Sequence, residues 1–177
     1  MSLMDILRKV EELDCPLVEI TGGEQLLQKA VLPLMKSLCD AGKTVLLETS
    51  GAHDISKVDP RVIRIVDLKC PSSGESERNL PSNLEVLRPM DEMKFVIGSR
   101  EDFEWARDRL RENSLETKVR SVLFSPAFRT AAAPGQTKGH DGLEPRILVE
   151  WILKEHLPVR FQLQMHKYVW EPTKKGV

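Results

Sequence analysis

The sequence predicts an α/β domain with a mainly parallel sheet, and three observations carry that expectation. Short apolar runs rich in Val, Ile and Leu alternate along the chain with longer stretches whose apolar residues recur at helical spacing. The alternation continues from the first helical stretch to the last strand, with no internal repeat and no linker, so residues 1–177 read as one domain. Several strands end in small or polar residues, as in Thr21-Gly22-Gly23-Glu24 and Glu48-Thr49-Ser50-Gly51. Sheets of this class bind their ligands at the carboxyl ends of the strands.

Residues 5–13 place Ile6, Leu7, Val10 and Leu13 on one helical face. Met1-Ser2-Leu3, ahead of a second methionine at Met4, resembles a vector-derived leader and is set aside. Residues 16–21 read as a short strand, and a longer helix follows with a stripe from Leu26 to Leu38. Pro33 is expected to kink that helix and Gly42 to end it. Residues 44–47 and 62–68 read as strands, and the Ser/Gly/Glu-rich 70–81 as a surface loop. Residues 95–97 make a further strand, after which Ser99 and Asp102 form the start signal of a helix carrying Phe103, Ala106 and Leu110. A strand over 119–124, a loop over 131–142, a helix over 143–156 and a strand over 159–164 complete the series.

Composition excludes several classes. With 26 basic and 27 acidic residues the formal net charge is −1, which gives no general attraction to nucleic acid. Apolar runs such as Val45-Leu46-Leu47 are too short to cross a membrane, and no signal-peptide pattern opens the chain. The three cysteines, Cys15, Cys39 and Cys70, are odd in number and widely spaced, which argues for a reducing, cytoplasmic setting and against a disulfide framework or a zinc knuckle.

At the strand ends, Gly22-Gly23 permits close approach of a ligand to backbone, and Glu24 offers a carboxylate to an ammonium group. The same residues also suit a tight turn with Glu24 at a helix N-terminus. Thr49 and Ser50 suit a ribose or a carboxylate, or simply cap a loop. Asp67 and Lys69 suit an ion pair, or Lys69 a bound anion. Gln164, His166 and Lys167 form a polar cluster after the last strand. Dinucleotide, P-loop, nucleophile-elbow and zincin motifs are missing; Ala41-Gly42-Lys43-Thr44 mimics a P-loop end in the wrong strand–helix order.

Taken in order, Leu17-Val18-Glu19-Ile20-Thr21-Gly22-Gly23-Glu24, Glu48-Thr49-Ser50-Gly51, Asp67-Leu68-Lys69-Cys70-Pro71-Ser72-Ser73-Gly74-Glu75, Lys94-Phe95-Val96-Ile97, Phe124-Ser125-Pro126 and Gln164-Met165-His166-Lys167 resemble the 7-carboxy-7-deazaguanine synthase family of radical S-adenosylmethionine enzymes. The closing Lys175-Gly176-Val177 extends the likeness. The resemblance implies an incomplete partial (β/α) barrel without its first strand, because the C-x-x-x-C-x-x-C cluster motif, the magnesium-binding threonine and a substrate-holding arginine that precede this region in the family have no counterpart here. It implies conversion of 6-carboxy-5,6,7,8-tetrahydropterin to 7-carboxy-7-deazaguanine for queuosine and related 7-deazapurines, with S-adenosylmethionine, a [4Fe–4S] cluster and Mg2+ as family cofactors; neither the cluster nor Mg2+ is expected in this chain.

Carried over by residue, Gly22, Gly23, Glu24, Ser72, Ser73, Ser125, Pro126, Ala127 and Phe128 would line the cofactor site, and Thr21, Gln164, His166 and Lys167 the substrate site, with no metal ligand. No catalytic residue is assigned. Gln25 stands where the family usually has proline. The chain alone is expected to be inactive and, like the family, to form a homodimer; submicromolar binding by this chain would favour the alternative, a non-catalytic protein for S-adenosylmethionine or a purine-like ligand.

Overall fold

The computed structural model describes residues 2–129 and 141–170. Its strands form a single parallel sheet in sequence order: β1 (Leu17–Ile20), β2 (Thr44–Thr49), β3 (Ile63–Asp67), β4 (Glu92–Ile97), β5 (Ser121–Pro126) and β6 (Arg160–Phe161). An unreversed parallel order keeps every crossover on one side and curls the sheet, so one face is covered by helices and the other becomes a lumen. The expected α/β class with a partial barrel is what the chain adopts.

Helices α2 (Val31–Asp40), α3 (Arg100–Glu112) and α5 (Pro145–Lys154) cover the outer face. Met35 and Leu38, Phe103 and Leu110, and Leu148 pack there with Val45, Leu47, Val66, Phe95 and Phe124, all buried. Phe124 meets Phe95 and Phe103 edge-on at 5.5 and 6.0 Å. Because side chains alternate along a strand, the residues between these core positions face the lumen. Toward the carboxyl ends of the strands Glu19, Glu48, Asp67, Lys94 and Ser125 fall on that face, and Gln162 follows directly after β6.

The local signals worked with small displacements. Helix α1 (Leu3–Glu12) starts earlier than expected, because Ser2 caps it: its hydroxyl accepts from the Asp5 N–H while the Asp5 carboxylate accepts from the Ser2 N–H. Ser2 and Leu3, set aside with the leader, therefore cap and open this helix. The expected long helix over 26–38 is two pieces, a 3-10 turn at Gln25–Leu27 and α2. Pro33 causes no interior kink, because it lies in the first turn of α2, where its missing N–H has no helical partner to lose. Gly42 ends α2 with φ +77°, its N–H on the Cys39 carbonyl and the Lys43 N–H on that of Leu38.

The 70–81 loop contains three 3-10 turns, the last being Pro81–Leu84. Two single-turn helices, α4 (Leu115–Lys118) and α6 (His166–Val169), carry no periodicity long enough to detect and were not anticipated. Most of the 131–142 loop and the Lys175-Gly176-Val177 end lie outside the described residues. At the amino-terminal end of the sheet the buried Arg64–Asp91 pair is fully bonded: Arg64 also donates to the Ile55 and Val86 carbonyls, and Asp91 accepts from the Arg88 N–H. It anchors the β3–β4 connection.

Candidate functional site

Charged residues inside otherwise apolar parallel strands are costly unless paired, and the lumen shows how this chain pairs them. Lys94 from β4 lies 2.5 Å from Glu48 of β2, and the Thr21 hydroxyl donates to the other Glu48 oxygen at 3.1 Å. Burial pushes the Glu48 carboxyl up, but the Lys94 ammonium and the Thr21 hydrogen bond outweigh it and hold the pKa below the ordinary carboxylate value. Asp67 at the end of β3 pairs with Lys69 at 2.7 Å. Among the described residues its second oxygen is buried without a partner, as is the hydroxyl of the fully buried Ser125.

Two cavities open at this end of the sheet. The larger, about 530 Å3, is lined by Thr21, Gly22, Glu48, Lys94, Ser125, Gln164 and His166 together with Glu19 and Gln162. The smaller, about 250 Å3, is lined by Asp67, Lys69, Cys70, Ser72, Ser73, Val96, Ala127, Phe128, Gln164 and Lys167. Gln164 borders both and so stands at their junction. Lys167 lies 5.4 Å from the centre of the Phe128 ring. Burial, and then the Lys94 charge, lower the Lys167 pKa.

The turns that shape these cavities are fixed by internal hydrogen bonds. Glu24 accepts from the Thr49 hydroxyl at 2.9 Å, the Ser50 hydroxyl at 2.6 Å, the Ser50 N–H at 2.9 Å and the Leu26 N–H at 3.1 Å. Burial raises its carboxyl, but these donors overcome it and lower the pKa. Thr49 and Ser50 thus serve Glu24, which caps the following 3-10 turn. The buried Asp102 accepts from the N–H and hydroxyl of Ser72 and from the Gly98 N–H, which ties the Pro71–Ser73 turn to the start of α3. The Ser73 hydroxyl donates to the Cys70 carbonyl.

The two glycines differ. Gly22 has φ +120°, and a Cβ there would sit 2.8 Å from the Gln25 amide nitrogen, which donates to the Thr21 carbonyl at 2.7 Å. Gly23 has an ordinary φ and nothing within 4 Å of a Cβ. Among the described residues nothing demands glycine at position 23. The two cavities, each bordered by a buried polar atom without a partner among the described residues, fit a nucleoside-type cofactor such as S-adenosylmethionine beside a second ligand.

An iron–sulfur cluster does not fit the described residues. Cys15 is exposed, Cys39 half-buried and Cys70 buried, and no group of three His, Cys, Asp or Glu side chains among the described residues is arranged to hold a metal ion. Burial, with Asp102 and Asp67 nearby, pushes the Cys70 thiol well above its ordinary pKa, which disfavours the thiolate a metal needs.

Relatives place these observations in a family. A 7-carboxy-7-deazaguanine synthase of Koribacter versatilis is 48% identical over 91% of this chain and 72% of its own length. One of Chlorobaculum tepidum is 43% identical over the whole chain and 76% of its own length. This chain belongs to the 7-carboxy-7-deazaguanine synthase family. The structure of QueE from Escherichia coli superposes with a TM-score of 0.66 at 25% identity, over 93% of this chain and 64% of that one. Streptococcus suis SuiB, at 11% identity and TM-score 0.62, shares the fold. No family model matches the chain.

Family membership and geometry together show what the sequence missed. Thr21, Gly22, Ser125, Gln164 and His166 come together in the larger cavity, and Ser72, Ser73, Ala127, Phe128, Gln164 and Lys167 in the smaller. Pro126 borders a third cavity against the start of α5, also lined by Ala127, Phe128 and Gln164. Gly23 and Glu24 line none of the three, and Glu24 is occupied by Thr49 and Ser50. Of the alternatives for Asp67 and Lys69, the ion pair is the one formed. Glu19, Glu48 and Lys94 were not singled out as site residues. Their signal was a charged residue flanked by apolar neighbours in a parallel strand, a position that marks either a mis-assigned strand or a polar lumen.

Proposed function

We propose that this chain forms the ligand-binding part of a 7-carboxy-7-deazaguanine synthase, holding 6-carboxy-5,6,7,8-tetrahydropterin in the larger cavity and S-adenosylmethionine across the smaller one. The observation that carries the reading is the lumen arrangement: an opposed carboxylate and ammonium, Glu48 and Lys94, ringed by Thr21, Ser125, Gln164 and His166. Such a set offers donors, acceptors and both charges to a ligand that combines a carboxylate with an amino-pyrimidine ring.

S-adenosylmethionine, held across the smaller cavity by residues such as Ser73, Ala127 and Phe128, would supply the hydrogen-abstracting chemistry. The residues of this chain contribute placement. Glu48 and Lys94 fix each other as an ion pair that forms one charged wall of the larger cavity, and Gln164, which borders both cavities, stands between the two ligand positions. Because no described residue set fits a cluster or Mg2+, we infer that this chain alone does not turn over substrate. We place it in the cytoplasm, where three unpaired cysteines are suited; among the described residues no helix is long and apolar enough to cross a membrane.

Calorimetry with 6-carboxypterin, a stable oxidised analogue of the substrate, and with S-adenosylmethionine tests the reading. Saturable one-to-one binding of each in the micromolar range is expected. Failure of the pterin to bind, or equal affinity for an unrelated carboxylate such as benzoate, would overturn it.

A further inference from the structure

We propose that the Ser125 hydroxyl is a hydrogen-bonding contact for the fused-pyrimidine substrate, and that it takes no part in holding the adenosyl cofactor. The proposal rests on the pterin reading of the larger cavity. Family resemblance groups Ser125-Pro126-Ala127-Phe128 as one cofactor-lining segment, but the strand divides it. In β5, Phe124 points outward into the core against Phe95 and Phe103, which turns Ser125 to the lumen face. There Ser125 borders the cavity of Thr21, Glu48 and Lys94 and not the one containing Ser72 and Ser73. The Ala127 N–H donates to the Ile97 carbonyl at 2.8 Å, and Ala127 and Phe128 border the smaller cavity.

The hydroxyl itself supplies the second argument. Ser50, Ser72 and Ser73 each donate inside the chain, to Glu24, Asp102 and the Cys70 carbonyl. Ser125 is 0% exposed and its Oγ has no hydrogen-bond partner among the described residues. An unpaired hydroxyl in a packed strand is destabilising, and alanine would remove the penalty at this position. A polar group at such a cost is explained by a ligand that completes it. A hydroxyl both donates and accepts, which suits the lactam edge of a 2-amino-4-oxopyrimidine, where a ring N–H adjoins a carbonyl. The charged groups of the ligand are left to Lys94 and Glu48.

The test compares the wild-type chain with Ser125→Ala and the near-isosteric Ser125→Cys, a weak donor, in titrations with 6-carboxypterin and with S-adenosylmethionine. Both variants should bind 6-carboxypterin about tenfold more weakly, the size of one neutral hydrogen bond. Their affinity for S-adenosylmethionine should stay within about twofold, and Ser125→Ala should unfold at the same or a higher temperature, since it removes a buried unpaired group. Unchanged pterin affinity in variants of a wild-type chain that binds pterin overturns the Ser125 proposal alone, as does a loss confined to S-adenosylmethionine. A wild-type chain that does not bind pterin overturns the reading of the cavity, and the proposal with it. If Ser125→Ala does not fold, Ser125→Cys, which keeps the volume, decides the matter.

Discussion

Asp102 joins the cofactor-side turn to the body of the fold, and replacing it should show how much that joint contributes. Its carboxylate is fully buried and accepts the Ser72 N–H at 2.9 Å, the Gly98 N–H at 2.8 Å and the Ser72 hydroxyl. Asp102→Ala leaves two backbone donors without a partner. Each unsatisfied buried donor costs about 1–3 kcal/mol, and the loss of charge-assisted bonds adds to it. The Ser72 amide is only partly buried, so water can take up part of its share. The expected destabilisation is therefore about 3–4 kcal/mol, a large fraction of the roughly 5–15 kcal/mol that holds a domain folded. Ser72→Ala removes only the hydroxyl and should cost about 1 kcal/mol. Urea unfolding followed by tryptophan fluorescence measures both, and S-adenosylmethionine titration of the folded Asp102→Ala chain should show weakened binding as the Pro71–Ser73 turn loosens. A loss below about 0.5 kcal/mol with unaltered affinity would refute the reasoning, since it would mean water replaces the carboxylate at no cost.

Three further outcomes follow from the geometry. Gly23→Ala should leave stability within about 0.5 kcal/mol of wild type, since a Cβ there meets none of the described residues; Gly22→Ala, at φ +120° and against Gln25, should cost about 1–3 kcal/mol by urea unfolding. Lys94→Met removes the charge that offsets the burial of Glu48, so the Glu48 carboxyl should rise above its ordinary pKa in NMR titration. The wild-type carboxyl is depressed, so its stabilisation is present above the unfolded pKa and lost as pH falls through the folded one; the stability gap between the two chains should be widest at neutral pH and close below about pH 4. The edge strand β1 and the exposed side chains of Met4, Leu13, Leu17 and Leu27 favour self-association, and light scattering coupled to gel filtration should report a homodimer, whereas a monomer at high concentration would contradict it.

The fold was legible because strands and helices announce themselves through period, and their ends through caps such as Ser99 and Gly42. Pro33 misled because its effect depends on its distance from a helix start that the apolar stripe did not mark. The site was legible as a set of segments and not as a geometry. Strand ends named Thr21, Gly22, Ser125, Gln164 and His166, but only the curl of the sheet reveals that β1 and the segment after β6 face one cavity. Ser72 looked like a ligand group, yet its hydroxyl is taken by Asp102, thirty residues away, through a contact with no local sequence signal. Glu48 and Lys94 were visible only as charges in apolar strands, and their pairing across β3 needs the register.

The two-cavity arrangement joined at Gln164 can be tested by one titration, 6-carboxypterin into the chain already saturated with S-adenosylmethionine. Adjacent, separate sites predict that the pterin binds one-to-one with an affinity equal to or better than that of the ligand-free chain, with S-adenosylmethionine still bound. Competition, with the apparent pterin affinity falling in proportion to the S-adenosylmethionine concentration, would mean that the two ligands share one cavity and would contradict the assignment.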